Sequence, residues 1–200
     1  MPAGTRWTGA FGGLGLAVVL SACAMAPSRE SATPEVWSLR DVSKVAGNVT
    51  EVVGAPKAVD AGAGTAIFFD GKGDGLFVPA NPLAGWSTFT IEVRFMPDST
   101  GGEEQRFLHL EDELKHRVLI ETRTTPDKQW SLDTFLFQDA ANKLTLLDRA
   151  RLHPTDRWYW VALVYDGSRM SHYVNGALVY AGRAGTGFTE AADGACLSPP

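Results

Sequence analysis

The feature that most constrains this chain is a succession of short apolar runs separated by turn-forming pairs. The runs are Glu51–Val53, Thr65–Asp70, Gly75–Val78, Thr88–Met96, Arg106–Glu111, Arg117–Thr124, Trp130–Gln138, Lys143–Leu147, Trp158–Asp166, Arg169–Val174 and Ala177–Arg183. Each suits a strand, and no amphipathic helix pattern of about ten residues or more interrupts them. Asp70-Gly71, Asp74-Gly75, Asp166-Gly167 and Asn175-Gly176 fall between runs. Such pairs supply the positive φ angles of tight hairpins. The pattern predicts an all-β chain of antiparallel strands.

Alternation assigns faces, because successive strand side chains point to opposite sides. Phe89, Ile91, Val93 and Phe95 are predicted to face a core, and Glu92 and Arg94 the other side. Val118 and Ile120 oppose Glu121 and Arg123 in the same way. Trp158–Tyr165 is apolar on both faces, which predicts a central strand covered on both sides and leaves its orientation open.

The N-terminus is a targeting segment and not part of the fold. One positive charge, Arg6, precedes the uncharged stretch Trp7–Leu20, too short for a bilayer core that needs about 20 residues. Leu20-Ser21-Ala22-Cys23 resembles the lipobox of bacterial lipoproteins. The resemblance implies cleavage after residue 22 and acylation of Cys23, hence a membrane anchor. Ala24 in place of Asp leans toward the outer rather than the inner membrane. Residues 23–36, rich in Ala, Ser and Pro, read as a tether. The only other cysteine is Cys196. If Cys23 carries lipid, no intramolecular disulfide is possible and the core must supply the stability. The net charge is −5, or −6 once Arg6 leaves with the signal peptide. An acidic balance excludes nucleic acid as the expected partner.

Thr65–Gly71, Asp74–Pro79, Thr88–Phe95, Trp158–Gly167 and His172–Gly176, in this order and spacing, resemble the laminin-G-like jelly rolls of the concanavalin A-like lectin/glucanase superfamily. The resemblance implies a two-sheet antiparallel β-sandwich over residues 37–200. It also implies two closing strands after Arg183. The segment 184–200, ending in Pro199-Pro200, does not read as supplying them, so the domain is expected to lack its last strands, as a truncated gene product would.

The candidate ligand-binding residues are Glu92, Arg94, His109, Glu121, Arg123, Asp133 and His172, read as polar groups on a non-core face, with Trp130 as a sugar-stacking ring. The competing expectation is cross-strand ion pairs. Retaining glycosidases of the superfamily carry a Glu-x-Asp-x-x-Glu string with carboxyl groups about 5 Å apart, and this chain has none. Glu111-Asp112-Glu113 reads as a solvated turn. Asp70–Gly75 lacks the ligands of an EF-hand, with Lys72 at the third position and Asn81 at the twelfth, so no cofactor is expected and calcium has no motif behind it. The histidines show no metal-ligand spacing, and no catalytic triad or phosphate-loop motif occurs. The expected function is an envelope-anchored, non-catalytic module binding a glycan or an envelope protein. The alternatives are a glycoside hydrolase and a structural envelope protein without a small ligand.

Overall fold

The computed structural model describes residues 33–183 and 195–197. The expected signal peptide 1–22, Cys23 and most of the tether lie outside the described residues. The compact unit begins at Glu35, two residues before the expected boundary. Sixteen strands occur among the described residues, and no helix. In chain order they are β1 (Lys44–Val45), β2 (Asn48–Val49), β3 (Glu51–Val53), β4 (Lys57–Asp60), β5 (Thr65–Phe68), β6 (Gly75–Val78), β7 (Phe89–Phe95) and β8 (Glu104–Glu111). Then follow β9 (Arg117–Thr124), β10 (Gln129–Phe137), β11 (Lys143–Leu147), β12 (His153–Pro154), β13 (Tyr159–Tyr165), β14 (Arg169–Val174), β15 (Ala177–Arg183) and β16 (Ala195–Leu197).

Two antiparallel sheets make the sandwich. The larger has the order β11-β10-β9-β8-β16-β6-β3, with β12 paired to β10, and the smaller the order β15-β14-β13-β7. The hairpins β1–β2 and β4–β5 stand as separate ribbons. All eleven expected runs form strands. The five short ones that the sequence pattern did not separate are β1, β2, β4, β12 and β16, each of two to four residues. Elements that brief carry too few side chains to show a period. Among them β16 takes a closing position expected to be vacant: it pairs antiparallel with both β6 and β8.

Turn chemistry places the hairpins. Asn175 and Gly176 both adopt positive φ, 49° and 79°, which joins β14 to β15 by two residues. Asp74-Gly75 is not a turn. Asp74 is buried, and its Oδ1 and Oδ2 accept the amides of Ala55 and Asp70 at 2.7 and 3.0 Å. Gly54 makes room for it, since a Cβ there would lie 2.4 Å from Asp74 Oδ1. Asp70 Oδ1 in turn accepts three backbone amides, from Lys72, Gly73 and Asp74. The aspartates of this loop are thus engaged in shaping it.

The core lies between the sheets. Leu108, Leu110, Val118, Ile120, Leu132 and Leu136 from the larger sheet meet Val161, Leu163, Tyr165, Met170 and Val174 from the smaller. At one end, Phe95 stacks on Phe107 at 4.2 Å and meets Trp130 edge-on at 5.1 Å. Trp130 is fully buried, and its Nε1 donates to the carbonyl of Pro154, which also accepts the hydroxyl of Tyr159. This corrects the expectation that Trp130 stacks on a sugar: it is a core residue whose polar atom is satisfied internally, the usual condition for burying a tryptophan. The sandwich also orients β13. Tyr159, Val161, Leu163 and Tyr165 face inward, whereas Trp160 is 55% exposed. The expectation of cover on both sides is therefore corrected as well. Trp160 opposes Arg94 on β7, at the solvent side of a four-stranded sheet.

Candidate functional site

The outward face of the larger sheet is built from β8, β9 and β10, whose registers align its side chains in rows. Ser131, Arg123 and Glu104 form one row, and Asp133, Glu121 and Arg106 the next. Phe135, Leu119 and His109 follow, then Phe137, Arg117 and Glu111. A bulge between Arg106 and Leu108 keeps both sides of β8 in phase by absorbing one residue at Phe107.

Five charged groups interlock on this face. Arg123 is central: its Nε donates to Asp133 Oδ2 at 2.7 Å and its Nη2 to Glu121 Oε1 at 2.6 Å, while Nη1 reaches Glu104. Arg106 closes the set, with Nε to Glu121 Oε2 at 3.2 Å and Nη2 to Glu104 Oε1 at 3.3 Å. The side chains of Glu121 and Asp133 are only 5% and 2% exposed, whereas Glu104 stands at 47%. The two acids therefore lie under the two arginines. Burial pushes the Glu121 carboxyl above the ordinary carboxylate range, against the pull of Arg123. Burial also works against the Arg123 charge, but its bond to Asp133 and the nearby Glu121 prevail, and its basicity rises. Asp133 Oδ1 is buried with no hydrogen-bond partner among the described residues.

Beside this network the face is aromatic. Phe135 and Phe137 are half-buried and stack at 6.1 Å, and the Arg117 guanidinium lies 5.9 and 5.5 Å from their ring centres. Arg117 Nε has no hydrogen-bond partner among the described residues, although Glu111 is 3.7 Å away. His109 Nε2 contacts Glu111 Oε2 at 3.2 Å, and burial lowers the His109 pKa against the opposing charge of Glu111.

The structure thus brings together Glu121, Arg123, Asp133 and His109 of the expected residues, and separates the rest. Glu92 and Arg94 belong to β7 in the smaller sheet and face solvent on the opposite side of the sandwich. Glu92 and Arg94 therefore do not share a face with Glu121 and Arg123, because a shared period within strands says nothing about which sheet each strand joins. His172 points into the core: it is fully buried, its Nδ1 meets Thr134 Oγ1 at 3.1 Å, and burial lowers its pKa to about 4. Cys23 lies outside the described residues. Asp112 corrects the solvated-turn expectation. Its carboxylate is buried, accepting the backbone amide of His116 and pairing with the His116 ring at 2.7 Å.

Glu104, Arg106, Arg117, Phe135 and Phe137 were missed as site residues. The alternation of β10 already put Phe135 and Phe137 on the face of Asp133, so that signal was present. The bulge shifts the phase of β8 within the strand, so alternation alone could not place Arg106 and His109 on one face.

Residues 70–197 match the family model of the concanavalin A-like lectin/glucanases superfamily. Three solved structures share the architecture. An HCR/D point mutant aligns with a TM-score of 0.58 at 14% identity, over 82% of this chain and 43% of that one. The enzymatically active domain of bacteriophage CBA120 tailspike protein 2 aligns at 0.54 and 11%, over 82% and 26%. The binding domain of botulinum neurotoxin DC, in complex with SialylT, aligns at 0.51 and 13%, over 82% and 43%. The chain spans less than half the length of each, and at these identities the likeness concerns the fold. No curated protein sequence matches significantly.

Proposed function

The chain belongs to the concanavalin A-like lectin/glucanases superfamily, and from that premise we propose that it is a non-catalytic carbohydrate-binding module held at the cell envelope through a lipid on Cys23. The observation that carries the reading is the outer layer of the larger sheet. There Arg117 lies over the Phe135–Phe137 pair, beside Arg106 and Arg123 held in place by buried acids. Sugar rings present apolar faces and a rim of hydroxyls. Half-exposed aromatic rings suit the first, and fixed guanidinium N–H donors suit the second at little ordering cost. The acids argue against hydrolysis. A general acid and a nucleophile must reach the scissile bond, whereas Glu121 and Asp133 sit beneath the arginines that neutralise them.

The test is affinity electrophoresis of the purified protein through gels containing laminarin or hydroxyethylcellulose. Arg117→Ala and Phe137→Ala should weaken retardation with little change in thermal stability, and neither polysaccharide should gain reducing ends. Release of reducing ends by the wild type, lost in Glu121→Gln, would establish the hydrolase instead. Mass spectrometry of the mature N-terminus from a bacterial host should find a diacylated or triacylated Cys23.

A further inference from the structure

Among the described residues the two sheets end in four flank strands, β3 and β11 in the larger and β15 and β7 in the smaller. A flank strand presents a row of backbone N–H and C=O groups that can template another strand, and proteins blunt such rows with short strands, bulges, lysine or proline. Three of the four are blunted. β3 has three residues, β11 opens on Lys143, and a bulge at Val179 interrupts β15 where His172 faces Tyr180 and Tyr173 faces Leu178. β7 carries none of these devices. It runs seven residues, Phe89–Phe95, in unbroken register with β13, and contains neither lysine nor proline.

Both sides of β7 are incompletely covered. Ile91, Val93 and Phe95 point toward the core but are only half-buried, whereas their partners on β13, Leu163, Val161 and Tyr159, are 0%, 1% and 7% exposed. The apolar side of β7 is thus sheltered from the β13 flank and left short of cover on the other. On the outward side Thr90, Glu92 and Arg94 are exposed. Neither Glu92 nor Arg94 forms an ion pair among the described residues.

We propose that the flank of β7 is a self-association edge, and that β7 of a second copy pairs with it antiparallel about a two-fold axis at Val93, joining two four-stranded sheets into one of eight. The register follows from charge. A two-fold axis normal to the sheet keeps both cores on one side, so residues opposite each other share a face. Opposite charges set directly across two strands stabilise the pair and like charges oppose it. An axis at Glu92 or at Arg94 would set each of those charges against its own copy. An axis at Ile91 would set Glu92 against Thr90 and Arg94 against Thr88, and leave both charges unmatched. An axis at Val93 sets Glu92 against the partner's Arg94, twice by symmetry. The same axis sets Ile91 against the partner's Phe95 on the core side, which covers the half-buried row. A self-complementary strand is the property that a symmetric dimer requires, and it commits this edge to a second copy of the chain.

The experiment is sedimentation equilibrium of the purified protein over a range of concentrations. The wild type should show a monomer–dimer equilibrium. Glu92→Arg sets two arginines of one strand against two of the other, and Arg94→Glu does the same with glutamates. Each should weaken dimerisation about tenfold or more, with the thermal midpoint of the monomer near that of the wild type because both positions are exposed. An equimolar mixture of the two variants should dimerise again, since a strand with two arginines then meets a strand with two glutamates in the same register. A wild type that stays monomeric throughout would overturn the proposal and assign the edge to another segment or partner. Undiminished dimers in both single variants would overturn it by placing the association elsewhere on the molecule. A mixture that associates no better than either variant alone would overturn the register at Val93.

Discussion

The outward faces of the two sheets both carry acids and arginines, but in opposite states. On the larger sheet Glu121 and Asp133 are buried, and the arginines above them bind two or three carboxylates each. On the smaller sheet Glu92 and Arg94 are exposed, two residues apart on one strand, and without ion partners among the described residues. Strand neighbourhood makes the difference. Arg123 sits on β9 between β8 and β10, so acids reach it from both sides. Arg94 sits on β7, whose one strand neighbour among the described residues, β13, presents Trp160. A charge flanked by two charged strands becomes structure, and a charge at an edge beside an aromatic residue is left available.

The most damaging way to probe this contrast is Arg123→Ala. It leaves two buried carboxylates short of their main counter-charge, and breaking a buried pair costs about 3–5 kcal/mol. Urea denaturation at pH 7 should show a loss of that size. A loss below about 1 kcal/mol, the range of an exposed pair, would erase the distinction between the faces.

His172 extends the comparison to a polar group between the sheets. Its folded-state pKa, about 4, lies below the ordinary 6.5. The unfolded chain therefore takes up a proton near pH 6.5 that the folded chain refuses until about pH 4. Stability contributed by the neutral ring is complete above pH 6.5 and is lost as pH falls toward 4, by about 3 kcal/mol at 1.36 kcal/mol per unit. His172→Gln should remove that share of the acid sensitivity. Equal pH slopes for variant and wild type between pH 6.5 and 4 would refute it.

Thr134→Val is the next smaller effect. It leaves His172 Nδ1 without its partner in the core, at a cost of about 1–3 kcal/mol. The thermal midpoint should fall accordingly. An unchanged midpoint would mean that the Thr134–His172 contact contributes nothing.

Arg94→Ala is expected to be the mildest. It forfeits a stacking contact on Trp158, about 0.5–1 kcal/mol at an exposed site. A destabilisation of several kcal/mol would show the small-sheet face to be as interlocked as the other.

The residues show where sequence reasoning reached. Asn175-Gly176, the alternation of Phe89–Phe95 and the apolar runs were enough to predict an antiparallel sandwich, because hairpin turns and pleat periodicity are local properties. Alternation likewise set Glu121 and Arg123 on one side of β9. It could not pair Arg123 with Asp133 and Glu104, since those contacts depend on β9 lying between β8 and β10. It misjudged Trp130 and His172 for the same reason: the strand is read from the sequence, but which of its sides faces the opposing sheet is not.

The sequence by itself determined the class of fold, the turns and the two-sided character of each strand, because each is decided within a few bonds of backbone and one pleat. Only the tertiary structure decided which charges met. Arg123 was given acids on both flanks and Arg94 an indole, through strand order and through a bulge at Phe107. Burial then acted on that order: it locked the carboxylates of the larger sheet beneath their arginines and left Trp160, Glu92 and Arg94 in water.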